Sequence, residues 1–156
     1  MKLTDTVEAL RAAGEPTRLR ILALLAREEL AVMELCRILD QSQPRVSRHL
    51  RLLTESGLVE RFPDGGWVFY RLANEPARHE LVTQALGLVD VEDAALARDV
   101  ERLEEVRVDR FAKAADYFAQ VAPRWDQLRS LYVSEADVET AILNTAGEGP
   151  FRRLID

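Results

Sequence analysis

The sequence has little of what most catalytic and metal-binding sites need. Its 156 residues include one cysteine and two histidines. Cys36 cannot form an internal disulfide, which fits a reducing compartment, and a thiolate metal site needs several convergent soft ligands. With only His49 and His79, and no serine and acid at plausible spacing, the machinery for nucleophilic hydrolysis is missing. We therefore expect neither a metal site nor an enzyme.

Long apolar runs and phosphate-binding loops are missing as well. No uncharged apolar stretch approaches the roughly 20 residues that cross a bilayer. The N-terminal "MKLTDTVEAL" interrupts its apolar residues with acids, unlike a signal peptide. Gly65 and Gly66 lie between two predicted strands rather than before a helix, so they are not a phosphate loop. We expect a cytoplasmic protein that does not bind membranes.

Acidic residues are missing from one stretch of an otherwise acidic chain. The formal net charge is -6, but "QSQPRVSRHLRLL", Gln41 to Leu53, carries three arginines and no acid. The excess of acids lies entirely downstream of Glu75. A solvated helix face is the ordinary interpretation of such arginines, and a nucleic-acid contact is the functional one.

Apolar periodicity, glycines and prolines predict helices at about 3–13, 16–27, 32–39, 43–56, 76–87, 92–121 and 134–145. Branched and aromatic residues on both sides of "PDGG" predict a β-hairpin. Three helices followed by a hairpin are typical of a winged helix-turn-helix. The predicted fold is mainly α with this small hairpin, as a winged helix-turn-helix domain (1–90), a long amphipathic linker helix (91–122) and a helical C-terminal segment (123–156).

The cationic helix has two different faces. Its apolar side would anchor it to the core through Val46, Leu50 and Leu53. Its outer side carries the residue types that contact base edges and phosphates: Gln43, Ser47, Arg48 and Arg51. The coincidence of unopposed arginines, turn, N-cap and wing favours DNA binding over a solvated face.

"ALRAAGEPTRLRILALLA", "MELCRILDQSQPRVSRHLRLLTESGLVERF" and "GGWVFYRL" resemble the ArsR family of dimeric winged-helix repressors over residues 5–87. The resemblance implies a homodimer built from the first and fifth helices, with one recognition helix per subunit in successive major grooves of double-stranded DNA. Two-fold symmetry then predicts an inverted-repeat operator. Across that axis we expect apolar contacts among Val7, Leu10, Leu81, Val82 and Leu86.

The predicted DNA-binding residues lie on the recognition helix and the wing. The first group is Ser42, Gln43, Arg45, Ser47, Arg48, His49 and Arg51. The wing supplies Gly65 and Gly66 at its tip, with Arg61 and Arg71 at its base. His49 leans toward the apolar side of the helix, so packing or a backbone hydrogen bond is an equal alternative for it.

The chain departs from the family pattern at Cys36. Arsenic-sensing members have two cysteines in "ELCxC", whereas "ELCRIL" places Ile38 at the second position. A small core residue is the expected role of Cys36. The fifth helix, "EPARHELVTQALG", lacks the spaced His and Asp set of zinc-sensing relatives, so a metal sensor is disfavoured.

The C-terminal "ADYFAQVAPRWDQLRSLY" resembles the segment that precedes the fold of class I S-adenosylmethionine-dependent methyltransferases, and "FRRLID" resembles its first strand. The resemblance implies a longer repressor-methyltransferase fusion that responds to S-adenosylmethionine or S-adenosylhomocysteine. No cofactor is expected in this chain, because the glycine-rich turn that would bind one is not in it. Two alternatives stay open: a metal-independent repressor with a helical dimerisation tail, or a dimerisation and regulatory module of a methyltransferase that does not act on DNA.

Overall fold

The computed structural model describes residues 1–90, 92–122 and 135–146. The chain divides into two units, Met1–Asp109 and Arg110–Asp156, and each is described by itself. In chain order the elements are α1 (Leu3–Ala13), α2 (Pro16–Leu25), β1 (Leu30–Ala31), α3 (Val32–Leu39), α4 (Gln43–Glu55), β2 (Val59–Asp64), β3 (Trp67–Leu72), α5 (Pro76–Gly87), α6 (Ala94–Val121) and α7 (Glu135–Ala146). The predicted mainly helical fold with a small β-hairpin is confirmed.

Helix α2 is the centre of the first unit. Pro16 occupies the first turn, where its missing N–H costs no hydrogen bond. Glu15 caps the helix by accepting a 2.9 Å hydrogen bond from the backbone N–H of Arg18. Ile21 and Leu22 are fully buried, and Leu24 and Leu25 are nearly so. Burial on both sides explains why this helix is apolar almost all round.

The sheet has one strand more than the sequence predicted. Its order is β1-β3-β2, and both pairings are antiparallel. The hairpin pairs Val59 with Leu72 at its base and Asp64 with Trp67 at its tip. The two residues of β1 pair with the middle of β3, Leu30 opposite Tyr70. A two-residue strand is too short for an alternating pattern to reveal it.

The first part of α6 packs against the winged-helix body. Leu103 is fully buried and Val106 is 3% exposed, so one side of this amphipathic helix faces the core. Arg102 donates a 3.0 Å hydrogen bond to the carbonyl oxygen of Ile38, at the end of α3. Arg107 donates a 2.8 Å hydrogen bond to Glu28. The division at residues 90 and 122 stays a prediction.

In the second unit, the rest of α6 exposes aromatic side chains. Phe111 is 78% exposed and Phe118 is 61% exposed. Helix α7 was predicted from about Ser134 to Thr145, and the structure has it at Glu135–Ala146. The methyltransferase-like pattern "ADYFAQVAPRWDQLRSLY" begins at Ala115 in α6, and its part from Pro123 onward lies outside the described residues, as does "FRRLID". Within the described ranges, no helix has the length and apolar character needed to cross a membrane.

Candidate nucleic-acid interface

Helix α4 is held to the core by its apolar side, as predicted. Val46 and Leu53 are fully buried and Leu50 is 1% exposed. Each such side chain stabilises the folded state by about 1.5–3 kcal/mol. Ser42 is the N-cap by backbone conformation, and its carbonyl accepts hydrogen bonds from Arg45 and Val46, but its hydroxyl makes no cap hydrogen bond. The Ser42 hydroxyl is therefore exposed rather than used inside the helix.

The turn between α3 and α4 fixes the angle at which α4 leaves the body. Asp40 ends α3 in the left-handed conformation, with φ 55° and ψ 49°. The side-chain amide of Gln41 lies 3.4 Å from the hydroxyl of the buried Thr17 on α2. Asp40 also lies 3.7 Å from Arg102 of α6. Asp40 and Gln41 therefore both contact elements of the body.

The outer side of α4 is polar and cationic. Of the residues predicted to contact DNA from this helix and its N-cap, all except His49 are exposed: Ser42, Gln43, Arg45, Ser47, Arg48 and Arg51. Arg51 lies 3.7 Å from Glu55 in an exposed pair one turn along the helix. Among the residues that the structure describes, Arg45 and Arg48 form no ion pair. Their guanidinium groups are available to an external anion.

His49 does not share this exposed side. Its side chain is 13% exposed, and Nδ1 lies 3.5 Å from Oε2 of Glu15, the cap of α2. Burial lowers the pKa of His49; Glu15 opposes this, whereas the charges of Arg18, Arg45 and Arg48 lower it further. The pKa of Glu15 is also lowered, since burial, which raises it, is outweighed by hydrogen bonds from Arg18 and Thr17 and by the charge of His49. The packing alternative for His49 is the one that this geometry supports.

The wing presents glycines at its tip and an aromatic side chain beside them. Gly65 and Gly66 have φ of 53° and 89°, the conformation of a tight two-residue hairpin turn, and both are exposed. Arg61 is exposed on β2. Trp67, the first residue of β3, is 63% exposed. Trp67 is not among the residues predicted to contact DNA, although it lies next to the hairpin turn.

Arg71 is engaged inside the wing. Its Nε donates a 3.1 Å hydrogen bond to Glu60, and Nη1 lies 3.6 Å from Glu29. The guanidinium also lies over the ring of Phe62, 4.9 Å from its centre. A phosphate would have to compete with two carboxylates for this side chain. Arg71 therefore stabilises the base of the wing, and its contact with DNA stays a prediction.

Side chains that could bind a metal are not brought together in the described part of the chain. In these ranges, no three residues among His, Cys, Asp and Glu lie close enough to bind one ion. Cys36 is half-buried beside the core, and burial raises the pKa of its thiol. It therefore occupies the position expected of a small packing residue.

Comparison with known proteins identifies the relatives of this fold. The family model "Bacterial regulatory protein, arsR family" matches residues 15–61. The arsenic resistance transcriptional regulator ArsR1 of Pseudomonas putida is 41% identical over 98 residues, which are 62% of this chain and 75% of that protein. The arsenical resistance operon repressor of Escherichia coli is 48% identical over 68 residues, 43% of this chain. The chain spans 58% of the length of that repressor.

A solved structure supports the same relationship. The homodimeric winged helix-turn-helix DNA-binding domain of a possible ArsR-family transcriptional regulator from Mycobacterium bovis aligns with a TM-score of 0.52 and 28% identity. The alignment covers 58% of this chain and 83% of the solved one. The relatives in these comparisons are transcriptional regulators and not enzymes. The chain belongs to the arsR family of bacterial regulatory proteins.

Proposed function

We propose that this chain is a homodimeric, sequence-specific DNA-binding transcriptional repressor with α4 as its recognition helix. The observation that carries the proposal is the pair Arg45 and Arg48, exposed on a helix whose other side is anchored in the core. Arginines on such a helix contact phosphates and guanine edges in the major groove. Gln43 and Ser47 on the same exposed side add donors and acceptors for base contacts.

Salt dependence tests this proposal. Phosphate contacts release counterions, so affinity for duplex DNA should fall steeply between low and physiological salt. Replacing both Arg45 and Arg48 by alanine should reduce the slope of log affinity against log salt by about two. The exposed arginines Arg27 and Arg98, replaced together by alanine, provide a control of equal charge. Equal slopes for the two double variants would contradict the proposal.

The homodimer is supported by exposed apolar side chains on the first helix. Leu3 is 82% exposed, Leu10 is 52% exposed and Val7 is 38% exposed. On α5, Leu81 and Leu86 are half-buried and retain surface for a partner. Val82 does not, because it is 1% exposed and belongs to the core of its own subunit. We therefore remove Val82 from the expected interface, and sedimentation at micromolar concentration should give a dimer.

The alternative, a module that only dimerises a methyltransferase, makes a different prediction. Such a module would retain its measured activities in the Arg45 and Arg48 double variant, whereas a repressor would lose operator binding. The fusion itself rests on the pattern that begins at Ala115 and on "FRRLID". Sequencing the codons that follow Asp156 tests it, since a glycine-rich loop there would support a domain responding to S-adenosylmethionine or S-adenosylhomocysteine. A stop codon would contradict the fusion.

The effector chemistry is proposed to differ from that of a thiolate metal sensor. Cys36 is the only cysteine in the 156 residues, and Ile38 follows where a second thiolate would be needed. A metal bound by one sulfur ligand would gain little of the soft coordination that selects arsenic or zinc. We expect that arsenite and Zn²⁺ leave the DNA affinity of this chain unchanged in a titration.

A further inference from the structure

A cavity of about 310 Å³ lies in the first unit between the α1–α2 turn, α2, the end of α5 and the start of α6. Its walls are mostly aliphatic: Leu19, Leu86, Val89, Ala95 and Leu96. Ligand sites for small molecules are concave, largely apolar and of about 300 Å³ or more. The DNA-binding residues lie elsewhere, on α4 and the wing, so the cavity is a separate feature.

The charged groups at this cavity are already paired with other parts of the protein. Arg20 binds Asp99 with hydrogen bonds of 2.7 and 2.6 Å. Glu15 accepts the backbone N–H of Arg18, and Asp93 accepts those of Ala95 and Leu96 at 2.9 and 3.0 Å. An anionic ligand would lose its hydration there without gaining a counter-charge, because Arg20 is already bound to Asp99. The mostly aliphatic lining therefore favours a neutral ligand over an anionic one.

We propose that this cavity is an effector site for a compact, neutral, predominantly apolar molecule. Its position suits regulation, because its walls belong to elements with different roles. Glu15 contacts His49 on the recognition helix, and Leu86 belongs to α5, the helix proposed for dimerisation. Insertion of a ligand between α2, α5 and α6 would change the packing of these elements. This regulatory part rests on the proposed DNA-binding function, whereas binding to the cavity does not.

The direct test is titration of the full chain with indole, a compact neutral probe, followed by NMR of isotope-labelled leucine methyl groups. Shift changes should be largest at Leu19, Leu86 and Leu96. Benzoate, of similar size but anionic, should bind at least about tenfold more weakly, because Arg20 is already bound to Asp99. Uniform shifts over all leucines, or tighter binding of benzoate than of indole, would overturn the proposal.

A filling variant and a matched control localise the site. Ala95→Leu adds volume inside the cavity and should weaken indole binding by at least about tenfold. Ala97→Leu makes the same change on the exposed side of α6 and should not alter binding. Equal affinity of both variants, or no binding of indole to the unmodified chain at millimolar concentration, would refute the site. If Ala95→Leu does not fold, the methyl shifts of the unmodified chain still show whether indole binds in the cavity.

DNA binding is then measured with and without saturating indole. We expect the affinity of the unmodified chain and of Ala97→Leu for a duplex operator to change by severalfold, and that of Ala95→Leu to stay constant. An unchanged affinity in the unmodified chain would overturn the regulatory part. Failure of the chain to bind any DNA would instead refute the proposed function. The indole titration would still show whether the cavity binds a neutral ligand.

Discussion

Arg20 on α2 and Asp99 on α6 form a bidentate ion pair, although they lie 79 positions apart in the chain. The Asp99 side chain is 2% exposed and that of Arg20 is 22% exposed. The hydrogen bonds that Arg20 donates to Asp99 raise the pKa of Arg20; burial opposes this, and the negative charge of Asp99 adds to it. The pair therefore connects the start of α6 to the central helix.

Asp99→Asn should lower the free energy of unfolding by about 3 kcal/mol, because it leaves the partly buried Arg20 without its counter-charge. Glu101→Gln, the same chemical change at an exposed position of α6, should have little effect. Urea denaturation of the two variants measures the difference. Equal midpoints would mean that the ion pair does not stabilise the contact between α6 and α2.

Gly57 follows α4 with φ of 70°, and a Cβ there would overlap the guanidinium of Arg78. That guanidinium donates a 3.1 Å hydrogen bond to the carbonyl of Ser56. Gly57→Ala should therefore cost the left-handed strain of about 1–2 kcal/mol and disturb this hydrogen bond as well. Gly65→Ala, at φ 53° with open space around it, should cost the strain alone. A smaller loss of stability for Gly57→Ala than for Gly65→Ala would contradict this interpretation.

The lowered pKa of His49 predicts a pH dependence of stability. Because the folded pKa lies below the ordinary value of 6.5, the unfolded chain binds the proton more readily. The stabilisation is fully present above about pH 6.5 and is lost as the pH falls through the folded pKa. His49→Gln should flatten the stability profile between about pH 7.5 and 5, above the range where carboxylates titrate. His79→Gln, an exposed control, should preserve the slope; a wild-type profile that is flat in this range would refute the prediction.

Two-fold symmetry predicts a spacing on DNA. Recognition helices of a dimer enter successive major grooves when they lie about 34 Å apart, so half-site centres should be about 10 base pairs apart. Inserting about five base pairs at the centre of the operator rotates one half-site to the far side of the duplex and should abolish tight binding. Inserting about ten base pairs instead returns both half-sites to the same side of the duplex and provides the control. Undiminished affinity for the five-pair insertion would exclude a rigid dimer.

Helix α4 was predictable because its signals are local. Pro44 at the start, apolar spacing from Val46 to Leu53 and a glycine stop at Gly57 determine a helix and its buried side without reference to the rest of the chain. The hairpin is equally local, since the Gly65-Gly66 turn specifies it.

The features that sequence reasoning missed depend on distant partners. The pairing of Leu30 with Tyr70, the contact of His49 with Glu15 and the ion pair of Arg20 with Asp99 join residues far apart in sequence. A single sequence does not state which arginine meets which carboxylate. Burial of Val82 within its own subunit was missed for the same reason, because periodicity marks an apolar residue without distinguishing the core from an interface.

The central claim is most directly tested by selecting duplex DNA from a randomised pool with the unmodified chain. We predict enrichment of an imperfect inverted repeat with half-site centres about 10 base pairs apart. The Arg45 and Arg48 double alanine variant should enrich no sequence, while the Arg27 and Arg98 control should enrich the same repeat as the unmodified chain. Failure of the unmodified chain to enrich any sequence, or the same repeat obtained with the Arg45 and Arg48 variant, would contradict the assignment of α4 as a recognition helix.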